Sequence, residues 1–291
     1  MIGIGMALFL VACQEEPVVR RGAGAAAFLE YDSEVSSDER QMVDLAVAYL
    51  AERALEGGRV PWFKDLFGGG DSSALLRFLA ERVRMVLSEK TEVDSRIRVT
   101  GGWQSRAEEQ SGRGATNLAS LWFLNEALAP GVLRFEINRR WVAFDSTRVG
   151  LVQLGPALKR VPRLVQAGVL LHEARHSDCT GGVWRSDIER VKRGEDPEGV
   201  ACGHLHILCP AGHDYEGLYA CDQEAWGAYA VNWIYFLALK RACRDCTFEE
   251  RSVAELAALD AASRLLLGAQ AMLGGSHGVP DMTSSTAVLE R

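Results

Sequence analysis

Apolar positions in this chain recur three and four apart over long stretches and alternate with polar ones over a short middle stretch, which predicts helices around a small sheet. Across 38–56, Met42, Leu45, Ala46, Tyr49 and Leu50 fall at helical spacing, and Gly57-Gly58 supplies a stop. Asp71-Ser72-Ser73 is a capping sequence for a second amphipathic helix, which the pattern carries to about Leu87. Residues 95–100 alternate as a short strand, whereas 113–128, with Leu118, Leu121, Trp122 and Leu124, read as a helix. Residues 133–137 and 141–144 alternate on either side of the polar Asn138-Arg139-Arg140, the pattern of a β-hairpin. Such a hairpin either completes a small sheet or offers an edge to which an extended substrate adds a strand.

Pro162 suits the first position of a helix running through Leu164, Val165, Val169, Leu170 and Leu171 to His176. Residues 177–217 then form a long excursion rich in Gly, Cys and His, and loops of that length in compact domains are usually functional or crosslinked. Two further helices are expected over 218–244 and 248–273, followed by a tail. Trp226, Tyr229, Trp233 and Phe236 share helical spacing in the first of them and read as core.

Composition narrows the function classes. Of 291 residues, 48% are hydrophobic and 24% charged, enough apolar material for a large core. Thirty-two Lys and Arg against 39 Asp and Glu leave a net charge of −7, which disfavours nucleic acid and anionic lipid as principal partners. No phosphate-cradling glycine motif, nucleophile elbow or dinucleotide fingerprint occurs.

Residues 1–12 are uncharged and mostly apolar, too short to span a bilayer and suited to the apolar region of a secretory signal. They end in Leu10-Val11-Ala12-Cys13, which resembles the bacterial lipobox, although no Lys or Arg precedes the apolar run. The resemblance implies cleavage before Cys13, a lipid on its thiol and export to the cell envelope, with Gln14 matching the type retained at the outer membrane. Membrane contact is then through that anchor alone. Residues 13–37 read as a flexible tether, 38–274 as the folded domain and 275–291 as a tail. In an exported chain Cys179, Cys202, Cys209, Cys221, Cys243 and Cys246 suggest disulfides: a local Cys243–Cys246 bridge and two bridges tying the 179–221 loop.

The chemistry centres on His172-Glu173-Ala174-Arg175-His176. Histidines four apart lie one turn apart on the same helix face, so their ring nitrogens can share one Zn²⁺. Glu173, beside the first of them, is placed to act as general base toward a water activated by the ion. The motif resembles that of the zinc metallopeptidases called zincins. The metzincin branch is excluded, because its continuation needs Gly at 179 and His at 182, where this chain has Cys179 and Gly182. The segment Asp222-Gln223-Glu224-Ala225-Trp226 is similar to the ligand segment of gluzincins, which implies Glu224 as third zinc ligand. Asp222 is the alternative, as ligand or as the partner that orients a ligand histidine.

His204, His206 and His213, interspersed with Cys202 and Cys209, suggest either a second, structural zinc or a disulfide-pinned loop beside the cleft. His213, Tyr215 and Tyr219 are candidates to stabilise an oxyanion, and Asp178 to orient a ligand. The expectation is an α+β, helix-rich, zincin-like domain. A small antiparallel sheet and hairpin precede the active-site helix over 38–177, and a helical part follows over 178–274. Its activity would be zinc-dependent hydrolysis of peptide bonds in a protein or peptide substrate. The alternatives are zinc amide hydrolysis of a cell-wall peptide, or a non-enzymatic envelope lipoprotein braced by a metal or disulfides.

Overall fold

Six helices, ten strands and short 3-10 turns are seen among the residues described by the structure, a computed structural model: 20–92, 97–99, 119–124, 133–137, 140–144, 150–176, 206–223 and 226–266. The chain opens with two short strands, β1 (Arg20–Arg21) and β2 (Glu30–Tyr31), joined by a 3-10 turn. Leu29 and Tyr31 are buried there, so the second half of the expected tether packs into the body. Helix α1 (Ser37–Glu52) starts at a capping box, in which Ser36 and Glu39 satisfy each other's backbone N–H groups. Its buried stripe is Val43, Ala46, Val47 and Leu50, while Leu45 is exposed.

After the short α2 (Phe63–Phe67) comes α3 (Ser72–Ala80), whose cap Asp71 accepts from the N–H groups of Ser73 and Ala74. Helix α3 ends seven residues short of the expected Leu87, because Val83–Leu87 is strand β3. β3 lies between β2 and β8 (Gly150–Leu154), parallel to both. Strands covered on both faces carry near-continuous apolar runs, which imitate one face of a helix. A second correction concerns 113–128, where the expected helix is replaced over Ala119–Leu124 by a strand, β5, antiparallel to β8 and to β4 (Ile97–Val99).

The principal sheet is therefore mixed and six-stranded, in the order β1-β2-β3-β8-β5-β4, larger than the small antiparallel sheet expected. The expected hairpin is present as β6 (Leu133–Ile137) and β7 (Arg140–Phe144), a separate antiparallel pair. Helix α4 (Arg163–His176) follows β8 and packs against the sheet and against α1 and α3. This placement buries ten of the eleven residues from Gln166 to His176, all but Arg175. The Gln166 amide donates to the carbonyls of Leu158 and Val161, fixing the start of the helix.

The stretch expected as one helix over 218–244 divides in two. It contains strand β10 (Tyr219–Cys221), paired antiparallel with β9 (Ile207–Leu208), and helix α5 (Ala228–Ala242). Helix α5 crosses α4 at Gly168, where an added Cβ would stand 2.5 Å from the Phe236 ring, so glycine is what permits that approach. Helix α6 (Phe248–Ser263) begins at a second capping box, Thr247 with Glu250, and buries Ala254, Ala258 and Ala261. It stops ten residues before the expected end. Two disulfides are formed among the described residues, Cys243–Cys246 as expected and Cys209–Cys221 within the loop expected to be tied. Cys179 and Cys202 lie outside the described residues.

Candidate metal centre

His172 and His176 project from the last turns of α4 into the buried space between that helix and the β9–β10 hairpin. Their Nε2 atoms are 3.2 Å apart, as the one-turn spacing predicts. The third member is His206, the residue before β9, with its Nε2 at 3.0 Å from that of His172 and 3.1 Å from that of His176. All three side chains are buried, His176 completely. The sequence had not grouped His206 with His172 and His176, pointing instead to a second metal site or a pinned loop.

Asp222, the residue after β10, explains the orientation of His206. The His206 Nδ1–H donates to Asp222 Oδ1 at 2.7 Å, which fixes the ring and leaves Nε2 as a bare lone pair. The second carboxylate oxygen accepts from the Tyr229 N–H at 2.8 Å in the first turn of α5. An anion at a helix N-terminus is favoured by both the free N–H groups and the helix dipole. Gly227 makes room for it, since an added Cβ would lie 2.2 Å from Asp222 Oδ2. Of the two roles considered for Asp222, its hydrogen bond to His206 matches that of an orienting partner, and the donor grouped with His172 and His176 is His206. Glu224, the residue that the gluzincin likeness implies, lies outside the described residues, as do Cys13, Asp178 and His204.

Tyr229 closes another side of the centre. Its ring stacks on His206 at 4.6 Å between centroids and meets His172 edge-on at 4.8 Å. The Arg264 guanidinium donates to its hydroxyl at 2.9 Å while pairing with Asp260. Trp62, Trp226 and Trp233 pack around the same small apolar cluster, partly exposed, with Trp62 and Trp233 at 5.7 Å between centroids. Helix α4 is tied to this wall by Arg175, whose Nε donates to the Trp226 carbonyl at 2.7 Å. Of the residues considered for oxyanion stabilisation, His213 is engaged by the Ser263 carbonyl and the Tyr215 N–H. The Tyr215 hydroxyl donates to Asp260, and the Tyr219 side chain lies outside the description.

Electrostatics favour a cation here. Burial, with the neighbouring His176 and His206, holds the His172 imidazole well below its ordinary value, so it stays neutral and ligand-competent. Burial pushes the Glu173 carboxyl up to about 8, and among the described residues its Oε2 has no hydrogen-bond partner. Three neutral ring nitrogens in a triangle can satisfy at most two of the three edges by hydrogen bonds, because two like groups, both N–H or both lone pair, must then face each other. One divalent ion satisfies all three. A tetrahedral zinc at ~2.0–2.1 Å from each ligand spaces its nitrogens by about 3.3–3.4 Å, close to the spacing seen. Among the described residues no fourth His, Cys, Asp or Glu donor joins this group.

A second group of Cys209, His213 and Cys221 falls within coordinating distance, but its sulfurs are joined to each other. Comparisons with protein-family models, with curated proteins and with solved structures found no match to the chain. No helix among the described residues is long and apolar enough to cross a membrane.

Proposed function

We propose that the chain is a zinc-dependent peptidase of the zincin type, with His172, His176 and His206 as the metal ligands. The observation that carries the reading is the convergence of three buried Nε2 atoms at the end of a helix that also bears Glu173. Catalytic zinc sites commonly have three protein ligands and an open fourth position, whereas structural sites fill all four. The three-histidine set therefore favours catalysis over the rival, a lipoprotein braced by a structural metal. The mixed sheet ahead of the motif helix and the helices after it agree with a zincin-like layout.

Zinc bound there would polarise the scissile carbonyl and make water acidic enough to attack at neutral pH. Glu173 takes the proton of the attacking water and passes it to the leaving amine, changing from base to acid between the two steps. Asp222 holds His206 in the ligating tautomer throughout, and Tyr229 walls the site with its ring. The likeness of residues 10–13 to a lipobox supports attachment at the cell envelope through Cys13. The test is metal analysis of the purified chain together with cleavage of casein and of cell-wall peptides. One zinc per chain and cleavage that disappears on chelation and returns with zinc support the peptidase. Cleavage of cell-wall peptides alone would favour the amidase reading, and stoichiometric zinc with no hydrolysis of any substrate the structural one.

A further inference from the structure

Two of the three ligands come from one buried helix, but His206 and its carboxylate reach the centre from a hairpin. Its two strands share only two residue pairs, with a register shift between them. So short a ladder is marginal in water by its own hydrogen bonds. The hairpin carries a covalent clamp at the metal end: Cys209 follows His206 by three residues, Cys221 immediately precedes Asp222, and the two are bonded. Both cysteines are buried, and Ile207, Tyr215, Leu218 and Leu266 pack around them as a small cluster apart from the main core.

The Asp222 end of the clamp is independently fixed. Its N–H donates to the Arg264 carbonyl at 2.9 Å, its carbonyl accepts from Leu266 at 3.1 Å, and its carboxylate caps α5. The crosslink therefore joins the strand that brings His206 to a residue already anchored to α5 and to the end of α6. From this arrangement we propose that Cys209 and Cys221 are a positioning pair for the metal centre. Their bond sets the place of His206 Nε2 beside the two helix histidines, and through it the affinity for zinc. The inference rests on the three-histidine reading given above.

A ligand free to wander with its hairpin presents a lower effective concentration to the ion than one held in place. Holding strands β9 and β10 together also restricts the states open to the chain when the site is empty. The Cys243–Cys246 bridge, between α5 and α6 and carrying no ligand, offers an internal comparison.

The test is zinc affinity, read by competition with a chromophoric chelator, in five forms of the full chain. These are the native protein, C209S/C221S, C243S/C246S, and the first pair combined with H206A beside H206A alone. The expected result is an affinity about 10–100-fold weaker in C209S/C221S, the range for loss of ligand orientation, with C243S/C246S unchanged. In the H206A background the same cysteine substitutions should have no further effect, because the ligand they position is gone. Unchanged affinity in C209S/C221S overturns the proposal, as does an equal loss in the H206A background. Loss of the near-ultraviolet dichroism of metal-free C209S/C221S also overturns it, because the clamp would then hold the fold rather than the ligand. A native chain that takes up no zinc at all overturns the three-histidine reading itself, and the clamp's role with it.

Discussion

Helix α4 and the β9–β10 hairpin meet at the same centre, yet they hold their histidines by different physical means. Helix α4 lies in the core, buried over almost its whole circumference, and its i, i+4 backbone geometry alone places His172 and His176 side by side. The hairpin has two residue pairs, exposed residues at its tip and a disulfide, and it places His206 only with the help of Asp222 and of α5 and α6. A ligand pair within one helix is robust to changes elsewhere. A ligand from a hairpin depends on every contact that orients it.

The largest effect should fall on the helix. Replacing Glu173 with Gln should lower hydrolysis by about 10²–10⁴-fold, the contribution of a general base, while zinc stoichiometry by metal analysis stays at that of the native chain. Undiminished turnover would remove Glu173 from the reaction. On the hairpin side, Asp222→Asn should weaken zinc by about 10–100-fold, because an orienting carboxylate is lost while all three ligands remain. If chelator competition shows the same affinity as in the native chain, the dependence of the hairpin ligand on its partner is refuted.

A third measurement separates the cost of the helix site from its use. In the metal-free protein Glu173 titrates at about 8 rather than at its ordinary 4.5, because burial disfavours its charge. Between those values the folded chain keeps a proton that the unfolded chain has lost, so stability falls as the pH rises through this window and then levels off. Glu173→Gln should therefore raise the melting temperature of the metal-stripped protein near pH 9 and leave it unchanged near pH 4. A gain of equal size at both pH values would show that charge burial is not its origin.

The smallest effect tests whether the helix is as insulated as the comparison implies. Gly168→Ala places a Cβ against Phe236, and such overpacking typically costs about 1–3 kcal/mol. The melting temperature should drop, while zinc affinity remains within a fewfold of native, since His172 and His176 lie beyond the crossing point. An affinity that falls in step with stability would mean that α4 does not hold its ligands independently.

Much of this could be read without a structure wherever the information was local. Asp71 caps its helix because its partners lie within one turn, and the 133–144 hairpin follows from alternation around a polar turn. The apolar run at 83–87 misled because a strand covered on both faces has no alternation to display, and there, as at 119–124, it is the pairing with neighbours in the sheet that reveals the strand. His206 escaped for a related reason. Nothing within its own segment separates it from His204 or His213, and the features that single it out belong to Asp222, sixteen residues away, and to α4, thirty or more.

By itself, the sequence determined the helix that carries the motif, the pairing of His172 with His176 and the place of Glu173 beside them, because a helical turn fixes those relations without any other part of the chain. Only the tertiary structure decided the third nitrogen, the role of Asp222 and the need for Gly227 and Gly168. Each of these depends on which distant segments come within a few ångströms, and that is settled by the packing of the whole core rather than by the spacing along any one element.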